Sequence, residues 1–144
     1  LNHIDMMFHL LCSRGHALGL DKAAKGMGLA GKTEGMSGDL VPAMWARGEY
    51  VPVLEYLRQD VITTLDLALA VEKAGVLRWT SNSGKSQAWT PEGGKWLTVK
   101  EALMLPLPDT SWMTDPWPRE KFTGWLSSVS GSTEFGKGGR MEGR

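Results

Sequence analysis

Cysteine is almost missing from this sequence. A single residue, Cys12, rules out an internal disulfide framework and agrees with a reducing compartment, so a cytoplasmic location is expected. Charge of one sign is missing too. Sixteen basic residues balance sixteen acidic ones, which leaves no broad electrostatic footprint for nucleic acid. A site built from carboxylates and metal ions does not need one over the whole surface. No apolar run approaches the roughly 18 residues of a membrane span, so no membrane partner is expected. The opening stretch is not expected to be a signal peptide, because Asp5 and His9 interrupt it and no basic segment stands before it in the sequence. Internal repeats are also absent. What remains is a chain of 144 residues, 42% hydrophobic and 22% charged, the composition of one ordinary globular domain. It opens at Leu1, without a methionine and directly in an apolar segment, as expected of a truncated reading frame or an excised fragment.

Residues 1–4 suit the end of a strand. Asp5 then suits a helix N-cap, its carboxylate accepting the free N–H groups of the first turn. That helix turns Met6, Met7, Leu10 and Leu11 inward and stops near Gly15. A second short helix is expected from Asp21 to Met27, closed by Gly28. A glycine-rich loop follows over 28–38, and then a short helix over 39–47. The strongest element runs from Pro52 to Ala74, with proline in its first turn and Gly75 after its end. Leu54, Leu57, Val61, Leu65, Ala68 and Val71 recur along it at three- and four-residue steps, making an apolar stripe. After Gly75 the segments VLRWT and QAWT flank SNSGKS and read as a β-hairpin. Thr98 suits the cap of a short helix ending near Met104. Residues 105–118 carry four prolines and two tryptophans and are expected to be an extended, packed loop. A last helix is expected from Pro118 to Leu126, and a disordered Ser/Gly-rich tail beyond it. The units expected are thus 1–75, a Trp/Pro-rich extension 76–126, and a tail 127–144. The fold class is mainly α with a small β-hairpin.

Tyr56 and Asp60 lie four residues apart on the long helix, which places both on one face. An aspartate there offers hard oxygen to Mg²⁺ or Mn²⁺. A tyrosine one turn earlier is placed to hydrogen-bond a water that attacks a phosphodiester. The pair by itself equally suits a solvated charge and a half-buried aromatic on any amphipathic helix. Two other patterns have ordinary alternatives of the same kind. Gly26 to Thr33 matches the phosphate-binding pattern G-x-x-x-x-G-K-[ST], but a helix precedes it where a buried strand is required. His9, Cys12 and His16 have helical spacing for zinc, but Gly15 ends the helix before His16 and no fourth ligand is evident. Six of the seven tryptophans lie at or beyond Trp79, and aromatic packing of a loop-rich extension accounts for them before base stacking does.

The order and spacing of several of these segments resemble the end of a DEDDy-type 3′–5′ exonuclease domain of the DEDD superfamily. They are His3-Ile4-Asp5, Leu20 to Ala24, Met27-Gly28-Leu29-Ala30-Gly31-Lys32, Trp45-Ala-Arg-Gly48 and Tyr56-x-x-x-Asp60-Val61-x-x-Thr64. The resemblance covers about residues 1–74. It implies the C-terminal fragment of a ribonuclease H-like α/β fold, with at most one strand of its sheet, near residues 1–4. It implies two-metal hydrolysis of the 3′-terminal phosphodiester of DNA, or less readily RNA. Asp60 would be a metal ligand, with Mg²⁺ or Mn²⁺ as cofactor, and Tyr56 would orient the attacking water. Asp5 is structural at the corresponding place and is not a ligand. The family's opening Asp-x-Glu occurs nowhere in these residues, and its second aspartate belongs ahead of Leu1. The fragment is therefore expected to be inactive alone. With most of the sheet missing, the apolar stripes must face each other, the extension 76–126 or another copy, so a marginally stable, self-associating or aggregation-prone chain is expected. A non-catalytic interaction module and, less readily, a P-loop nucleotide binder are the alternatives.

Overall fold

In the computed structural model, residues 1–31 and 35–124 are described. The elements run α1 (Met6–Arg14), α2 (Leu20–Gly26), α3 (Val41–Ala46), α4 (Tyr50–Ala74), β1 (Leu77–Thr80), β2 (Ser86–Trp89), a 3₁₀ turn (Glu92–Gly94) and α5 (Val99–Leu103). Residues 120–124 are also helical. The protein is therefore mainly helical with one two-stranded antiparallel hairpin. The tail 127–144, and Lys32 and Thr33 of the phosphate-loop pattern, lie outside the described residues. Among the described residues no helix is long and apolar enough to cross a membrane.

Local chemistry accounts for most element boundaries. The Asp5 carboxylate accepts the Phe8 N–H at 2.9 Å, and Gly15 closes α1 in the left-handed conformation (φ 78°), which costs glycine nothing. Thr98 and Glu101 form a reciprocal capping box at the start of α5. In the hairpin, Leu77 pairs with Trp89 and Thr80 with Ser86. Leu77 and Trp79 turn inward while Arg78 and Thr80 face out, the period-two pattern of a half-buried strand.

Two expectations need correction. Residues 1–4 are not a strand. Ile4 makes one isolated antiparallel bridge to Thr98, and the ladder cannot continue because Thr98 is already the cap of α5. The segment works as a helix cap instead: the carbonyls of His3 and Leu1 accept the N–H groups of Val99 (2.9 Å) and Lys100 (3.1 Å), two of the donors every helix start leaves free. The second correction concerns the helices' inner faces. On α4 the packed residues are Val53, Tyr56, Thr63, Leu67 and Val71. Of the predicted stripe only Val71 is fully buried, while Leu54, Leu57, Val61 and Leu65 stay exposed. On α1, Met7 is exposed, and Phe8, His9 and Cys12 join Leu10 and Leu11 inside.

The main core joins Leu10, Ala23, Leu67 and Val71 to Leu77, Trp79, Trp89 and Trp96. A second cluster places Phe8, Leu11 and Cys12 of α1 against Val99 and Ala102 of α5. Of the described tryptophans beyond the long helix, three are thus core residues, and Trp112 and Trp117 are exposed.

Candidate active site

Tyr56 and Asp60 come together as the helical spacing requires. Tyr56 is 6% exposed, more buried than the half-buried aromatic of the ordinary alternative, and its hydroxyl lies within the electrostatic reach of the Asp60 carboxylate. Burial, then interaction with the Asp60 carboxylate and the charge of Asp39, push the phenol above the usual tyrosine value. At neutral pH Tyr56 is therefore a neutral O–H donor. Thr64 donates its hydroxyl to the Asp60 carbonyl at 2.7 Å, one turn further on. Asp39 belongs to the turn before α3, and nothing in its local sequence marks it as a neighbour of Tyr56. Its approach depends on α3 folding back against α4.

The raised phenol leads to a measurable expectation. In a Tyr50→Phe background Tyr56 is the only tyrosine, and its tyrosinate absorbance should appear later on alkaline titration than that of a free phenol near about pH 10. Asp60→Asn removes the charge and should move that titration down. A raised folded value stabilises the fold fully below the unfolded value and loses this contribution as pH climbs through the folded one. An unshifted titration, or one indifferent to Asp60→Asn, would show that the two groups do not interact.

Does this site suit two divalent cations? Among the described residues no three or more His, Cys, Asp or Glu side chains are grouped to hold a metal ion. One carboxylate with a phenol beside it offers too few hard oxygens for a pair of ions. The residues present do not by themselves fit the two-metal group.

The other predicted patterns resolve into structure. His9 is fully buried and both its ring nitrogens are engaged. Nδ1 accepts the Leu97 N–H at 3.2 Å, which leaves the proton on Nε2, facing Glu92 Oε2 at 2.7 Å. Ser13 donates to the other Glu92 oxygen at 2.9 Å. Burial alone would raise the Glu92 carboxyl, but the hydrogen bonds from its own backbone, His9 and Ser13 outweigh it and hold it below the usual range. Cys12 has no exposed surface, and burial pushes its thiol up. His16 sits beyond Gly15, edge-on to Trp79 and Trp112. In the phosphate-loop pattern, Gly26 ends α2 hard against the backbone of Arg78 and Trp79, a packing role.

Sequence reasoning missed Arg119. Its guanidinium donates to the carbonyls of Leu105 (2.7 Å), Pro106 (2.7 Å) and Cys12 (2.8 Å). It ties the proline-rich loop to the C-terminal half of α1. A lone arginine in a loop carries no local signal for such a role.

Residues 1–78 match a family described as a predicted 3′–5′ exonuclease related to the exonuclease domain of PolB. No curated protein and no solved structure matches the chain.

Proposed function

We propose, from the premise that the chain belongs to the family of predicted 3′–5′ exonucleases related to the exonuclease domain of PolB, that its residues 1–74 supply the third motif of a DEDDy-type site. The reaction is hydrolysis of the 3′-terminal phosphodiester of a nucleic acid, DNA before RNA, in the cytoplasm. The observation that carries the reading is the coincidence of the family match with a buried tyrosine one helical turn from an aspartate on the same helix. Asp60 would offer one anionic oxygen to Mg²⁺ or Mn²⁺. Tyr56, held protonated, would orient a water at the reacting phosphate through its hydroxyl once the site is completed by other residues. No Asp-x-Glu occurs in the sequence, so the remaining carboxylates of such a site are not supplied by these residues.

The chain alone is therefore expected to be silent. A 5′-labelled single-stranded oligonucleotide incubated with it in Mn²⁺ should keep its full length, at protein concentrations where an active exonuclease shortens it within minutes. Steady shortening that stops on Asp60→Ala would mean that the 144 residues complete the site by themselves.

A further inference from the structure

Helix α4 carries two apolar faces, and one has no cover. Val53, Tyr56, Thr63, Leu67 and Val71 are packed inside, while Leu54, Leu57, Val61, Leu65 and Leu69 remain between 45% and 68% exposed. The second face is a continuous row over residues 54–69 of the 25-residue helix. A run of large aliphatic side chains of that length in water is an interface in want of a partner.

Two charges stand within this row and they choose the partner. Arg58 lies about two turns before Leu65, and Glu72 about two turns after it. Arg58 reaches only the exposed Glu55 at 3.2 Å, a pair that solvent weakens. We propose that the row docks on the same row of a second copy of this chain, antiparallel and centred on Leu65. About that centre the face is self-complementary, as a two-fold interface requires. Leu65 meets Leu65 of the second copy, Val61 meets Leu69, and Arg58 meets Glu72 twice over. A parallel arrangement sets Arg58 against Arg58 and Glu72 against Glu72, which repels. The inference concerns the chain as it stands and does not depend on the exonuclease reading.

Light scattering on the 144-residue chain at tens of micromolar tests it, with circular dichroism to confirm that each variant keeps its helix content. The wild-type chain is expected to run at twice the chain mass. Leu65→Glu, which places two like charges at the centre, should weaken the dimer by about 100-fold or more. Arg58→Glu alone should weaken it by about tenfold, and Arg58→Glu combined with Glu72→Arg should restore it to within about threefold. Because both swapped residues are exposed, the charge series stands even if Leu65→Glu fails to fold. A monomeric wild-type chain, a dimer indifferent to Leu65→Glu, or a double swap no better than the single one each overturns the proposal. The readout is mass, so either reading can fail while the other stands.

Discussion

Asp60→Asn, placed in a polypeptide that joins these residues to the family's Asp-x-Glu strand, is expected to cut release of 3′-terminal nucleotides by about 100-fold or more, while Tyr56→Phe cuts it by about ten- to 100-fold. The difference follows from what each change removes. Asparagine keeps the shape of the side chain and an oxygen able to accept a hydrogen bond. It loses the negative charge, and a neutral amide would be a much poorer ligand for a hard divalent cation. Phenylalanine keeps the buried ring that packs α4 against its neighbours and loses only the hydroxyl. Tyr56 lies on the packed face, so its ring must be retained, whereas Tyr56→Ala would mix the loss of a hydroxyl with a cavity. Helix content and melting temperature should stay close to those of the parent in both variants. Rates of the joined protein measured on a labelled oligonucleotide decide the matter: two variants as fast as their parent would remove this helix from the active site.

Gly26→Ala is expected to destabilise the chain by about 3 kcal/mol or more, through a clash that no rotamer relieves. A Cβ at this position would overlap the Arg78 carbonyl oxygen and stand 2.5 Å from the Trp79 Cα. Both obstacles are backbone atoms of β1, so relief requires α2 and the strand to separate. That separation would reach the main core, where Ala23 of α2 packs with Leu77 and Trp79. It would also strain the contact of the Lys22 ammonium with Asn82 at the hairpin tip. Gly28→Ala is the useful contrast. Gly28 has open space around it but a positive φ of 74°, so the change costs about 1 kcal/mol in conformational strain without a clash. Urea unfolding of the three proteins should rank wild type above Gly28→Ala and Gly28→Ala above Gly26→Ala. If Gly26 serves as a phosphate-binding glycine rather than a packing one, its alanine variant should unfold near the wild-type midpoint.

The sequence by itself determined what a few neighbouring residues decide. Asp5 before Met6, Gly15 and Gly75 after the last helical turns, Thr98 with Glu101 three residues on, and alternating Leu77 and Trp79 mark their elements because caps, turns and strand pleats are settled within four residues by backbone hydrogen bonds and φ preference. The Tyr56–Asp60 pair was legible for the same reason: a helix puts residues four apart on one face wherever it sits. The tertiary structure alone decided which face of α4 is covered. That helix is apolar over more than one stripe, so its periodicity is satisfied by several orientations, and the neighbours α2, α3 and Trp96, whose indole donates to the Ala68 carbonyl at 3.1 Å, select among them. It also decided the partners of His9 at Glu92 and Leu97, of Arg119 at Cys12, and of Gly26 at Arg78. Each pairs residues more than fifty positions apart, and their side chains carry no mark of it until the chain has folded, because burial and donor–acceptor geometry are properties of the packed whole.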